Sequence, residues 1–173
     1  MTILIVMGVS GSGKTTLGRR LAERLGWPFQ EGDDYHPAAN VAKMSQGTPL
    51  TDEDRQPWLQ ALKQLIDEHI ERGESMVLTC SALKQNYRDT LKNGHDNLHF
   101  VYLQGSHDVI RERVRRRHGH YMPVDLLQSQ FDTLEEPTDA IQVNIEWSPE
   151  QMVERVLERL VKDGSLPAPN RQR

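Results

Sequence analysis

The chain has 173 residues, with 21 Lys+Arg against 25 Asp+Glu and a formal charge of −4. That length suits one domain burying roughly 70% of its unfolded surface, and the acidic balance argues against a nucleic-acid binder relying on bulk positive charge. Cys80 is the only cysteine, which excludes an internal disulfide and suits a reducing cytoplasm, and no run approaches the ~20 apolar residues of a membrane span or carries the basic flank of a secretory signal.

Taken in chain order, Ile3-Leu4-Ile5-Val6-Met7 reads as a buried strand. The helix after it has Leu17, Leu21 and Leu25 on one face and Gly26 just past its end. A short strand is expected near 28–31, and Pro37 is placed to open a helix. Segment 52–72 aligns Trp58, Leu62, Leu65, Ile66 and Ile70 and reads as core packing. Strands are predicted near 76–80, 99–103 and 140–145. Segment 106–117 is helical with Val109, Ile110 and Val114, and Pro123 opens a helix with Leu127, Phe131 and Leu134 aligned. The last helix has Ser148 as cap, Pro149 at the first position and Gln151 at the third, and it ends at Gly164. Residues 165–173 read as a flexible C-terminal tail. Strands alternating with helices predict a parallel α/β sheet with helices on its faces.

Between the first strand and first helix lies Gly8-Val9-Ser10-Gly11-Ser12-Gly13-Lys14-Thr15, which fits G-x-x-x-x-G-K-[ST]. Glycines let consecutive N–H groups turn toward phosphate oxygens, and the helix that opens at Lys14 and runs on through Thr16 adds the positive end of its dipole. Lys14 is expected to reach the β- and γ-phosphates, and the Thr15 hydroxyl to ligate Mg²⁺.

Three further constellations accompany this loop. Glu31-Gly32-Asp33-Asp34-Tyr35-His36 follows the second predicted strand, where an open α/β sheet binds its ligands. Its carboxylates suit a magnesium ion or a proton from an attacking hydroxyl; a solvated turn with Asp capping the next helix reads equally well. No Asp ends strand 76–80 or 99–103, so this cluster can supply the missing acid. Five arginines between Arg111 and Arg117 suit a lid that neutralises a transferring phosphoryl group, or else a solvated helix face or an RNA-binding patch. His118-Gly119-His120 is a weak metal pattern. Arg55 suits bidentate capture of a carboxylate and Lys84 an anion contact, against helix capping by Thr51 and an exposed lysine. Cys80 reads as packed in the core.

The ordered set resembles the short gluconokinases, relatives of shikimate kinase and the nucleoside monophosphate kinases. It comprises the phosphate loop, Gly32-Asp33-Asp34-Tyr35-His36-Pro37, Asp52-Glu53-Asp54-Arg55 with Pro57-Trp58-Leu59, and Cys80-Ser81-Ala82-Leu83-Lys84 with Tyr87-Arg88-Asp89. Asn40 with Lys43-Met44 and Gly47 with Pro49-Leu50 belong to it too, and it continues through Gly119-His120-Tyr121-Met122-Pro123 and Leu127 with Ser129-Gln130-Phe131 to close at Leu134-Glu135 and Pro137. The resemblance implies a P-loop fold with five parallel strands in order 2-3-1-4-5. It implies one kinase domain over 1–164, with a lid at about 115–123. ATP would phosphorylate D-gluconate at its C6 hydroxyl in a cytoplasmic enzyme, often a homodimer, without nucleic-acid or membrane partners. By the same resemblance, Gly8, Val9, Ser10, Gly11, Ser12, Gly13, Lys14, Thr15, Thr16 and Arg113 bind nucleotide, Arg113 through adenine. Lys14, Asp33 and Arg117 are catalytic; Asp33, His36, Arg55 and Lys84 face the acceptor; Thr15 and Glu31 lie on the magnesium side.

Overall fold

The computed structural model describes residues 1–117 and 124–169. Five parallel strands form one sheet in the order β2-β3-β1-β4-β5: β1 (Ile3–Met7), β2 (Phe29–Glu31), β3 (Met76–Thr79), β4 (Leu98–Gln104) and β5 (Ile141–Asn144). The helices are α1 (Lys14–Leu25), α2 (Ala38–Ser45), α3 (Asp52–Glu71), α4 (Gln85–Lys92), α5 (His107–Arg116), α6 (Val124–Thr133) and α7 (Pro149–Lys162). A 3-10 turn, Gly32–Tyr35, follows β2.

Alternation along the strands divides the core. Leu4, Val6, Val77, Val101 and Leu103 point to the face covered by Leu17 and Leu21 of α1, Ile110 of α5, Leu127 of α6 and Val156 and Leu160 of α7. Ile3, Ile5, Met7, Met76, Leu78, Phe100 and Tyr102 point to the opposite face, against Trp58, Leu62 and Ile66 of α3 and Tyr87 and Leu91 of α4. A sheet buried on both sides explains why β1 is apolar at every position.

The predicted strands are all present within one or two residues of their expected limits. The capping box of Ser148 and Gln151 forms as expected, and Gly26 and Gly164 both have positive φ. Helix α4 has no counterpart in the periodicity reading: it is eight residues long, and its buried face is Tyr87, Arg88 and Leu91. Helix α6 stops at Thr133, one residue before the expected Leu134. Beyond Gly164 the chain stays attached for two residues. Ser165 Oγ meets His99 Nε2 at 2.9 Å, and Leu166 packs on the core. The tail expected from 165 therefore begins with an anchored pair.

Candidate active site

Because all strands are parallel, their carboxyl ends share one edge of the sheet, and the conspicuous motifs collect there. Gly8 follows β1, Glu31 ends β2, and Thr79 ends β3.

The phosphate loop turns into α1 through Gly13, whose φ of 100° lies in the left-handed region. Leu17 N–H makes the first backbone bond of α1, to Gly13 O, so the first-turn amides of Lys14, Thr15 and Thr16 have no intrahelical acceptor. Two amides of the expected cradle are otherwise engaged: Ser12 N–H bonds Val9 O at 3.2 Å, and Ser10 N–H bonds Gln130 Oε1 at 2.7 Å. The Ser12 hydroxyl is buried without a partner among the described residues; a Cβ placed on Gly8 would lie 2.8 Å from it. Gly11 is pinned by its neighbour, since a Cβ there would lie 2.4 Å from Val114 Cγ2 of α5. Helix α5 thus rests directly on the loop.

Lys14 folds over this loop, donating from Nζ to Gly8 O and Val9 O, each at 3.1 Å. Burial pulls its pKa below the ordinary lysine value. The charges of Asp33, Cys80 and Glu31 act in the opposite sense, and Arg117 reinforces the lowering. Lys14, Asp33, Glu31 and Arg117 therefore share one electrostatic environment. Cys80 is buried and its thiol is pushed up to about 12, which removes it as a nucleophile.

Glu31 is held from two sides. Thr15 Oγ1 donates to its Oε2 at 2.8 Å, and Thr79 Oγ1 donates to its Oε1. Thr79 also accepts the Gly32 N–H at 3.2 Å. Sequence reasoning missed Thr79, because a threonine inside an apolar strand reads as an ordinary β residue. The next carbonyl, Gly32 O, accepts the indole N–H of buried Trp58 at 2.8 Å. The 3-10 turn carrying Asp33 is therefore fixed at its first residue through both the N–H and the C=O of Gly32, and the Asp33 side chain is 66% exposed. Trp58, expected only as core, is a positioning residue.

Trp58 does a second job. Its ring stacks on His36 with centroids 4.3 Å apart and planes 14° from parallel. Asn40 Nδ2 donates to Asp54 O at 2.8 Å, which orients the amide, and the same nitrogen meets His36 Nδ1 at 3.2 Å. His36 Nδ1 must then accept, so the ring is neutral with its proton on Nε2, 4.0 Å from Asp33 Oδ1. Burial lowers the His36 pKa; Asp33 opposes this and Arg55 adds to it. His36 stands between the aspartate and the next group of residues.

In that group Arg55 Nη1 donates to Tyr87 Oη at 3.1 Å, and Tyr87 Oη donates to Asp52 Oδ1. Lys84 Nζ donates to both Asp52 oxygens, at 2.9 and 3.1 Å. The hydrogen bonds from Tyr87 and then Lys84 hold the Asp52 carboxyl below its ordinary range. Arg55 and Lys84, 29 residues apart in sequence, thus meet through Tyr87 and Asp52. Thr51 does cap α3, in a capping box with Asp54. That cap places Arg55 on the first turn, so the two readings of this segment are compatible. Lys84 is paired rather than simply exposed.

The loop bearing Lys84 has its own support. Ala82 adopts φ 46°, unusual for a residue with a Cβ. Buried Arg88 donates to Ala82 O at 2.7 Å, Leu83 O at 3.1 Å, Gln85 Oε1 at 3.0 Å and Glu135 O at 2.7 Å. Arg113 Nη2 donates to Ile145 O at 2.6 Å, one residue past β5, and Arg115 and Arg116 pair with Glu112. Arg117 lies just past α5 and is exposed. The expected lid begins inside α5 and continues to Arg117; its residues 118–123, with His118, His120 and the Pro123 expected to open the next helix, lie outside the described residues.

The AAA domain family matches residues 3–141. A gluconokinase of Gluconobacter oxydans (strain 621H) is 50% identical over 159 residues, covering 92% of this chain and 89% of its own. A crystal structure of a gluconokinase from Sinorhizobium meliloti 1021 superimposes with a TM-score of 0.84 at 43% identity, covering 95% of each chain. An unliganded sugar kinase from Janibacter sp. gives a TM-score of 0.86 at 46% identity, covering 92% of this chain and 94% of that one. With a phosphate loop, a clamped carboxylate beside it and this degree of likeness over nearly its whole length, the chain belongs to the gluconokinase family of P-loop kinases.

Proposed function

We propose that the protein transfers the γ-phosphoryl group of ATP to the C6 hydroxyl of D-gluconate, releasing ADP and 6-phosphogluconate. The observation carrying this reading is the phosphate loop with Lys14 folded on it, joined through Thr15 to Glu31 and so to the clamped turn of Asp33, together with the Arg55–Tyr87–Asp52–Lys84 group. It combines polyphosphate-binding groups, a carboxylate for an alcohol and cations for an acid.

The amides of Gly11, Gly13, Lys14, Thr15 and Thr16 receive the phosphates, and Lys14 exchanges its carbonyl contacts for phosphate oxygens. Arg113, anchored at Ile145 O, offers its guanidinium plane to the adenine. Arg55 and Lys84 take the sugar-acid carboxylate, and His36, neutral and carrying its proton on Nε2, donates to an acceptor oxygen. Asp33 orients the C6 hydroxyl. As the oxygen–phosphorus bond forms and the bond from the γ-phosphorus to the bridging oxygen breaks, Asp33 accepts the hydroxyl proton and the electron pair leaves with ADP. Arg117 offsets charge on the transferring group. Positioning and charge stabilisation carry most of the rate.

The residues fit Mg²⁺. Thr15 Oγ1 and Glu31 Oε2 form a hard oxygen pair 2.8 Å apart. No group of three acidic, histidine or cysteine side chains suited to a metal occurs among the described residues. Thr15 would ligate the ion and Glu31 would assist through water, and the ion when bound would supply positive charge beside the polyphosphate.

The same reading makes the protein a cytoplasmic homodimer with a lid over ATP. No described helix is long and apolar enough to cross a membrane. A coupled ADP-release assay across gluconate, shikimate, glucose and nucleoside monophosphates tests the assignment. Turnover stimulated by gluconate alone supports it, and stimulation by another acceptor with none by gluconate refutes it.

A further inference from the structure

One hydrogen bond ties the phosphate loop to helix α6. Gln130 Oε1 accepts the Ser10 N–H at 2.7 Å, across 120 positions of sequence. Gln130 is half-buried on α6, whose Leu127 enters the core and whose Phe131 packs against it. The loop is therefore braced by two helices: by Val114 of α5 at Gly11 and by Gln130 of α6 at the preceding residue.

The same helix reaches the acceptor side. Five residues beyond Gln130, Glu135 N–H donates to Leu83 O at 2.8 Å. Glu135 Oε1 accepts the Gln85 N–H at 2.8 Å, and Glu135 O accepts from Arg88 at 2.7 Å. These bonds flank Lys84. Helix α6 and its extension thus run from the phosphate loop to the loop presenting an acceptor-side cation.

We propose that Gln130 is a positioning residue for phosphoryl transfer: its amide oxygen fixes Ser10 at the rim of the phosphate loop and so sets the register of the acceptor loop against the nucleotide. The inference rests on the kinase reading. The chemistry of the side chain explains the choice of glutamine. A glutamate has the same shape and accepts the Ser10 N–H more strongly, but adds a full negative charge at the rim of a loop that takes polyphosphate. A methionine has similar length and adds no charge, but has only a weak acceptor and leaves the Ser10 N–H without its strong partner.

The two substitutions separate the effects. For the full-length wild type, Gln130→Glu and Gln130→Met, ATP and ADP affinities are measured by calorimetry with Mg²⁺. Urea midpoints and kcat and KM for both substrates are measured alongside. Gln130→Glu is expected to weaken ATP about tenfold and ADP less, with the difference shrinking at high salt. Gln130→Met is expected to keep ATP affinity within about threefold while kcat falls, or gluconate KM rises, by about fivefold, the size of one lost neutral hydrogen bond. Gln130→Glu should keep a wild-type urea midpoint, and Gln130→Met should lower it only slightly, by the one lost hydrogen bond. Wild-type kinetics in Gln130→Met, or equal losses for ATP and ADP in Gln130→Glu, overturn the inference, as does a fall in kcat that only tracks a lowered midpoint. If the wild type itself fails to bind ATP or to phosphorylate gluconate, the kinase reading falls and takes the inference with it; if the wild type performs and the variants match it, the inference alone falls.

Discussion

Replacing Gly32 with alanine isolates the geometry that holds Asp33. A Cβ at this position lies 2.0 Å from Thr79 O and 3.1 Å from Thr79 C, both backbone atoms of a central strand. Restoring an ordinary 3.4 Å contact moves the end of β2 by about 1.4 Å. Two bonds do not survive that shift: Gly32 N–H to Thr79 Oγ1 at 3.2 Å and Trp58 Nε1–H to Gly32 O at 2.8 Å. Overpacking costs roughly 1–3 kcal/mol, and stranding the buried indole N–H costs another ~1–3 kcal/mol. The expected loss in urea denaturation is therefore about 3 kcal/mol. Displacing the Asp33 turn by more than 1 Å should cost kcat about 100-fold. ATP affinity should change little, because the loop of residues 8–15 is built on β1 and α1. A Gly32→Ala protein within about 0.5 kcal/mol of wild-type stability, turning over at the wild-type rate, would show that the close approach is not what fixes the turn.

Asp33→Asn should lower kcat by about 10²–10⁴. Its exposed side chain implies an unchanged melting temperature and ATP affinity, and full turnover would remove Asp33 as proton acceptor. Arg55→Ala should raise the gluconate KM by about 10–100-fold, the worth of a charge-assisted bond, with ATP KM unaltered. An unchanged gluconate KM would rule out Arg55 as the carboxylate clamp. His36 makes stability depend on pH. Unfolded, it titrates near its ordinary 6.5; folded, burial lowers that value. Its contribution is complete above 6.5 and declines as pH falls toward the folded value, because the unfolded chain binds the proton first. Urea midpoints should drop between pH 6.5 and 5 in the wild type and drop less in His36→Gln. Equal slopes would mean that His36 is not held neutral.

The parts of the molecule readable from sequence are those whose signal is contiguous. Residues 8–15 form a loop by their own glycines, and the apolar runs of β1, β3 and β4 declare a sheet buried on both faces. Ser148 and Gln151 satisfy each other within four positions. What stayed hidden depends on residues brought together across the fold. Thr79 orients Glu31 from 48 residues away, and Gln130 reaches Ser10 from 120. Trp58 obeys the periodicity of a core residue, and its indole N–H is invisible to that pattern. Helix α4 escaped because its buried face includes Arg88, which any hydropathy reading assigns to solvent. Asp52 and Tyr87 lie within the resembling segments, yet their bond becomes visible only once α3 and α4 pack together.

Buried Arg88 organises the loop that carries Lys84. Its charge sits in the interior, surrounded by carbonyl and amide oxygens. Such a cation leaves little freedom to what surrounds it, since any movement of those oxygens exposes dry, unpaired charge. The backbone of residues 82–83 is therefore held as part of the interior, and under the proposed acceptor role of Lys84 an incoming sugar acid would meet a rigid template rather than one that moulds itself. Mutational drift toward a differently shaped acid would have to pass through the hydrophobic core, which makes selectivity costly to change and slow to lose.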